Sequence, residues 1–177
     1  MPHSAPSHAR LAAGVALLTA LAAPRLRAQQ ERQIEAHAVY ARETQSHDVS
    51  WGGGALYELV WGSEERPVRL GTALGADYQK ANNGGPGRTS GALELTLEGG
   101  RLGLGPVTPY LGGAVTSNWY SGHDAPRRAL AGIEGIIGAA VRLTPRGPLE
   151  VKAEFRPGYV HTQEHEQTVH VGLIYVL

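Results

Sequence analysis

The sequence predicts an all-β protein: a single closed antiparallel barrel of eight up-and-down strands that crosses a membrane, following a cleaved signal peptide. Three observations predict it. Eight segments alternate between apolar and polar residues, and none of the apolar faces carries a charge. A set of tryptophans and tyrosines collects at the ends of those segments. After an N-terminal leader, no apolar run approaches the roughly 18 residues a membrane helix needs, so any crossing falls to strands.

Met1 to Ala28 reads as the leader. Arg10 closes a weakly basic start, Leu11 to Ala23 is uncharged, Pro24 breaks the run, and Leu26-Arg27-Ala28 offers a cleavage site. A buried N-terminal helix is the competing reading. Residues 1–28 are therefore expected to be a signal peptide and residues 29–177 one barrel domain. The 177 residues suffice for a single core. Lys+Arg and Asp+Glu both number 16, so the basic stripe that nucleic acid would require is missing. With no cysteine, neither a disulfide framework nor a thiolate metal site is available.

The alternation is clearest from Trp51 to Trp61. Trp51, Gly53, Ala55, Tyr57, Leu59 and Trp61 share one face, and Glu58 lies on the other. Successive side chains of a strand point to opposite faces. At about 3.3 Å per residue this stretch runs roughly 33 Å. Tilted by about 45° it covers roughly 23 Å, close to the apolar band of a membrane barrel.

The other segments follow the same rule. The first sets Ile34, Ala36, Ala38 and Tyr40 against Glu35 and His37, and the third sets Val68 through Tyr78 against Arg69 and Asp77. The fourth sets Leu93, Leu95 and Leu97 against Glu94 and Glu98. The fifth sets Val107 through Trp119 against Tyr110, Thr116 and Asn118, and the sixth sets Ala129 through Leu143 against Glu134 and Arg142. The seventh sets Leu149, Val151, Ala153 and Phe155 against Glu150, Lys152, Glu154 and Arg156, and the eighth sets Val169 through Leu177 against His170 and Gly172. At 18 % charge overall, about eight charges would be expected by chance on the apolar faces.

The connections divide into two sets. Gly62 to Pro67, Gly99 to Pro106 and Thr144 to Pro148 read as turns. Lys80 to Thr89, Ser121 to Arg127 and Gly158 to Gln167 read as longer polar loops, and Glu43 to Val49 as a modest one. This arrangement predicts both termini on the turn side. It also places Tyr40, Trp51, Tyr78 and Trp119 at the loop end and Trp61 and Tyr175 at the turn end, as an aromatic girdle at each interface.

The last residues, His170 to Leu177, resemble the C-terminal strand by which outer-membrane barrels are recognised for assembly, through Gly172, Tyr175 and Leu177; Leu177 stands where that family most often has Phe. Thr108-Pro109-Tyr110-Leu111-Gly112-Gly113 is similar to a stretch common in small OmpA/OmpX-type barrels. The resemblance covers roughly Glu31 to Leu177. It implies a monomeric eight-stranded barrel in the outer membrane, with membrane lipid around it and the barrel-assembly machinery as its partner during insertion. It transfers no catalytic residue.

The charged face carries the remaining chemistry. An eight-stranded barrel is just wide enough for side chains to fill it. Glu134, Arg142, Lys152, Glu154 and Arg156 are expected to form a paired cluster that closes the lumen; an ion path or binding cavity is the alternative. His161-Thr162-Gln163-Glu164-His165 spells H-x-x-E-H, the order of a zinc-peptidase motif. That motif needs a helix, and this stretch reads as a solvated loop between strands. A barrel acyl hydrolase would show His-x-Ser on a late strand, whereas Thr162 and Gln163 follow His161. A soluble lipocalin-like carrier would carry the same alternation with the apolar face inward. The reading is thus a non-enzymatic outer-membrane barrel with a structural or surface-interaction role and no cofactor.

Overall fold

The computed structural model describes residues 30–44, 47–63, 65–99, 105–121, 129–144, 147–160 and 165–177. The leader, residues 1–28, lies outside them. The described chain forms eight strands: β1 (Gln30–Glu43), β2 (Val49–Trp61), β3 (Val68–Ala81), β4 (Gly87–Gly99), β5 (Val107–Ser121), β6 (Leu130–Arg142), β7 (Leu149–Val160) and β8 (His165–Val176). Each pairs antiparallel with its sequence neighbours, and β1 pairs with β8, closing the barrel. Among the described residues no helix is long and apolar enough to cross a membrane, which says nothing of strands.

Closure sorts every residue to the lumen or the outside, because strand side chains alternate. The phase of each of the eight segments is the one the charges dictate. Apolar residues point out, with Leu74 67 %, Ile133 62 % and Leu111 59 % exposed, while Glu35, Glu94, Lys152, Glu154 and Arg156 are buried inside. A lipocalin-like carrier requires the reverse. Apolar residues share the lumen with the charges, among them a cluster of Tyr110, Ala114, Ile136, Ala140 and Ile174.

One ladder is interrupted. Between β6 and β7 the register runs from Glu134↔Gly158 to Ile137↔Phe155, skipping the residues between. Pro157 lies in the gap and has no N–H to donate to a ladder. Gly135 faces the proline ring, and a Cβ there would meet Pro157 Cγ at an ordinary contact distance of 3.5 Å.

The connections differ from the sequence expectation. β3 runs to Ala81 and β4 starts at Gly87, so the Lys80–Thr89 stretch is mostly strand. β7 runs to Val160 and β8 starts at His165, which likewise shortens the Gly158–Gln167 connection. The intervals 44–48, 82–86 and 161–164 are no longer than 62–67, 100–106 and 143–148 at the other end. Glycines and polar residues were read as loop signals, but in a barrel such residues continue a strand where the inward face is polar. The contrast between short turns and long loops therefore survives only at the 122–129 connection, which is longer than any at the turn end.

The aromatic residues do separate by end. Tyr40 and Trp51 are Cα partners near the 44–48 connection, their rings edge to face at 4.6 Å. Tyr78 and Trp119 both flank Thr89 across the ladders on the same side. Trp61 sits opposite Gln30, its indole N–H donating to Thr72 Oγ1 at 3.3 Å, and Tyr175 opposite Ile34. The sequence reading missed two exposed tyrosines: Tyr159 at the loop end, and Tyr57, which shares a row with Tyr175 through Ile34.

Inside, packing is tight where Tyr110 crosses toward β6. A Cβ added at Gly138 would sit 2.4 Å from Tyr110 Oη and 2.5 Å from its Cζ. Gly138→Ala therefore has to displace that ring. Urea unfolding of the refolded barrel should show a loss of roughly 1–3 kcal/mol, the usual cost of overpacking; an unchanged midpoint would contradict the packing described.

Candidate functional site

The lumen is the one place where this sequence concentrates chemistry. Strand alternation delivers charged side chains to it from every strand but β5, and a charge withdrawn from water must find a partner. Arg156 on β7 lies at its centre. Its Nη1 and Nη2 donate to the two carboxylate oxygens of Glu94, across the barrel on β4, at 2.5 and 3.1 Å. Its Nε donates to Glu154 Oε2 at 2.5 Å. Such a two-oxygen grip exploits the fixed fork of the guanidinium. Glu134 Oε2 stands 3.7 Å from Nη1.

Lys152 forms the next layer toward the turn end. Its ammonium lies 2.7 Å from Glu154 Oε1 and 2.6 Å from Glu35 Oε2, linking β7 to β1. The Tyr110 hydroxyl donates to Glu154 Oε1 at 3.0 Å, and the same ring has Lys152 Nζ at 5.4 Å from its centroid. Thr96 donates to Glu58 Oε1 at 3.1 Å.

Separate pairs occupy the two ends. At the turn end Arg69 reaches Glu98 at 2.8 Å and Glu31 at 3.1 Å. At the loop end Arg88 pairs with Glu166 through both terminal nitrogens, and its Nη2 also donates to Gln79 Oε1 at 2.9 Å. Above this pair opens a cavity of ≈ 300 Å³ lined by Glu43, Ser50, Gln79, Arg88, Tyr120 and Glu166. Toward the turn end a void beside Glu58, Arg69 and Lys152 measures only ≈ 10 Å³.

Of the five residues predicted to cluster, the structure brings Lys152, Glu154 and Arg156 into contact and sets Glu134 at their edge. Arg142 stands apart. It donates to Glu150 Oε1 at 2.9 Å near the turn end, and its side chain is 27 % exposed. Arg142 pairs in the ladder with Glu150, six residues before Arg156 on β7, and side chains in so narrow a lumen reach only their own and the adjacent layer. The reading missed Glu35 and Glu94 as members. Both were known to face inward, but their partners lie across the lumen, and alternation along one strand carries no signal for that.

Gly172, Tyr175 and Leu177 lie on and just beyond β8. Tyr175 and Leu177 point outward, whereas Gly172 faces the lumen, where a Cβ would come within 2.8 Å of Glu35 Oε1 and 2.9 Å of His37 Cβ. Of the H-x-x-E-H stretch, residues 161–164 lie outside the described residues. His165 opens β8, faces outward, and has its ring 5.4 Å from that of Tyr159. The outward serines of the strands, Ser117 and Ser121, are both on β5, three strands away from His165. Among the described residues no outward serine adjoins a histidine.

No known family profile matches the chain, and no curated protein matches it. Solved structures do, among them the following two. The crystal structure of Neisserial surface protein A aligns with TM-score 0.55 at 15 % identity, over 82 % of this chain and 96 % of that one. The crystal structure of the outer membrane enzyme PagL aligns with TM-score 0.51 at 14 % identity, over 80 % of this chain and 98 % of that one. The chain has the fold of the small eight-stranded outer-membrane barrels. One of the two neighbours is described as an enzyme, and the fold is compatible with catalysis or with none.

The lumen geometry generates a stability prediction. Arg156→Gln leaves Glu94 and Glu154 facing each other without their shared cation. Breaking such a buried pair costs about 3–5 kcal/mol, read by urea unfolding in detergent micelles. Adding Glu94→Gln to that variant should restore part of the loss. Arg142→Ala, at the wetter turn end, should cost only about 0–1 kcal/mol. Equal losses at positions 142 and 156 would contradict the layering.

Proposed function

We propose that this protein is a monomeric, non-enzymatic barrel of the outer membrane whose lumen is closed by its own ion pairs, and that it serves a structural or surface-interaction role. One observation carries the proposal. The barrel presents an apolar belt on all eight strands, Ile34, Leu74, Leu95, Leu111, Ile137, Phe155 and Val171 among them, while Glu35, Glu58, Glu94, Lys152, Glu154 and Arg156 lie inside. Soluble monomers rarely expose a continuous apolar patch beyond a few hundred Å². A bilayer removes that cost, and in it every strand must be paired, as closure ensures here.

Further features support the same reading. Residues 1–28 have the composition of an export signal. Tyr40, Trp51, Tyr78 and Trp119 at one end, and Trp61 and Tyr175 at the other, stand where indole and phenol rings favour a membrane–water interface. Gly172, Tyr175 and Leu177 would be read by the assembly machinery. The lipid-hydrolase reading has in its favour the fold shared with PagL, and among the described residues no serine stands beside a histidine on the outer surface. A filled lumen also argues against a wide pore: Arg156, Lys152 and Glu154 are all buried inside the barrel.

Cell fractionation tests the location. The protein should sediment with outer membranes and migrate faster on a gel before heating than after it, as folded barrels do; recovery in the soluble periplasmic fraction would contradict the proposal. In planar bilayers the purified barrel should give no large, steady conductance. Incubated with lipopolysaccharide or phospholipid it should release no fatty acid, and sustained release would establish an enzyme.

A further inference from the structure

His37, Asp77 and His170 converge in the lumen on the loop-end side of the closing cluster, which they touch through Glu35 and Glu154. His37 and His170 sit on β1 and β8, the first and last strands, in adjacent registers: His37↔Gly172 and Val39↔His170. Asp77 reaches in from β3, one strand beyond β2. A ligand atom from each lies within 4.8 Å of the other two. Two glycines make this possible. A Cβ at Gly54, between His37 and Asp77, would lie 1.9 Å from Asp77 Oδ1 and 2.8 Å from His37 Nε2, and one at Gly172 would strike Glu35 and His37.

The hydrogen bonds orient the donors. His37 Nδ1 stands 3.0 Å from Glu35 Oε1, and Glu35 is itself held by Lys152 at 2.6 Å. That fixes His37 with Nδ1 toward a carboxylate and Nε2 toward Asp77 Oδ1, at 2.6 Å. A carboxylate behind one ring nitrogen and an acceptor site at the other is the arrangement that metal-binding histidines use. His170 stacks on His37 with centroids 4.7 Å apart. It is 2 % exposed, and its Nδ1 has no hydrogen-bond partner. That nitrogen has Glu154 Oε2 at 3.9 Å, beyond hydrogen-bond reach, and a buried imidazole nitrogen without a partner is costly.

The geometry points to a divalent transition-metal site formed by His37, Asp77 and His170, which staples the seam between the first and last strands. Two imidazoles and one carboxylate suit Zn²⁺ and its neighbours better than Mg²⁺ or Ca²⁺, which take oxygen ligands. Ligand atoms about 2.0–2.1 Å from a tetrahedral zinc are roughly 3.3 Å apart, so His37 Nε2 and Asp77 Oδ1 must part by less than about 1 Å. The ion takes the place of the proton they share, and that proton leaves to solvent. Access runs through Asp77, whose side chain keeps 14 % exposure, below the loop-end cavity to which Gln79, its neighbour on the inward face of β3, contributes. The remaining coordination positions would be water.

The test uses the full mature barrel refolded in detergent, stripped with chelator and titrated with Co²⁺ or Zn²⁺ alone. One Co²⁺ per barrel should bind with visible d–d absorption, and Zn²⁺ should displace it and raise the urea midpoint. Asp77→Asn and His170→Gln, each checked for heat-modifiable mobility, should weaken binding by at least about tenfold. His165→Gln, outside the site, should bind as the unmodified protein does. Should His170→Gln fail to fold, the zinc-edge X-ray absorption spectrum of the unmodified barrel decides, with two imidazole shells expected. The proposal is overturned by a folded barrel that binds neither ion, by affinity unchanged in Asp77→Asn, by loss of binding in His165→Gln, or by a spectrum without imidazole.

Discussion

An eight-stranded barrel leaves room inside for side chains and little else. Each inward residue must therefore meet the residues of the opposite wall, and a charged one must meet its counterion. Arg156 answers this constraint most fully: one guanidinium engages Glu94 from across the lumen and Glu154 from its own strand. Lys152 extends the chain of contacts to Glu35 on β1. Opposite walls are thus tied through the centre, in addition to the ladders around the rim. The glycines on the inward face fit the same constraint, since Gly138 yields space to Tyr110 and Gly54 to Asp77.

The outside is the complement. Because charge is satisfied within, the outer face can be apolar on all eight strands, and the pleat ensures that one register choice serves both purposes. A slip of a single residue in any strand would send glutamates into the apolar belt and leucines into the ion pairs. The same inversion separates this barrel from a soluble carrier of equal strand number, in which the apolar face lines the cavity.

Most of the architecture was legible because it depends on period 2 and on charge. Glu150, Lys152, Glu154 and Arg156 define the inward face of β7 without reference to any other strand, and the remaining strands follow in the same way. The strand ends were less legible. Asn82, Gly84 and Gly85 do form a connection, but Arg88 and Glu166, read as loop residues, are lumen partners at the ends of β4 and β8. The site was legible only in part. Which residues face inward follows from one strand, whereas which of them touch depends on stagger around the barrel. Glu94 meets Arg156 and Arg142 does not for that reason, and His37, Asp77 and His170, all correctly assigned to the inner face, gave no sign of meeting.

The central claim is the polarity of the barrel: apolar face to lipid, charge to lumen, aromatic rings at the two boundaries. All three tryptophans, Trp51, Trp61 and Trp119, lie on the outward face near strand ends, so their own fluorescence reports it without any substitution. The barrel would be reconstituted into vesicles of phosphatidylcholine carrying bromine either near the headgroup or near the end of the acyl chain. The account predicts strong quenching by the shallow bromine and weaker quenching by the deep one. Emission indifferent to bromine at either depth would place the tryptophans away from lipid and contradict it.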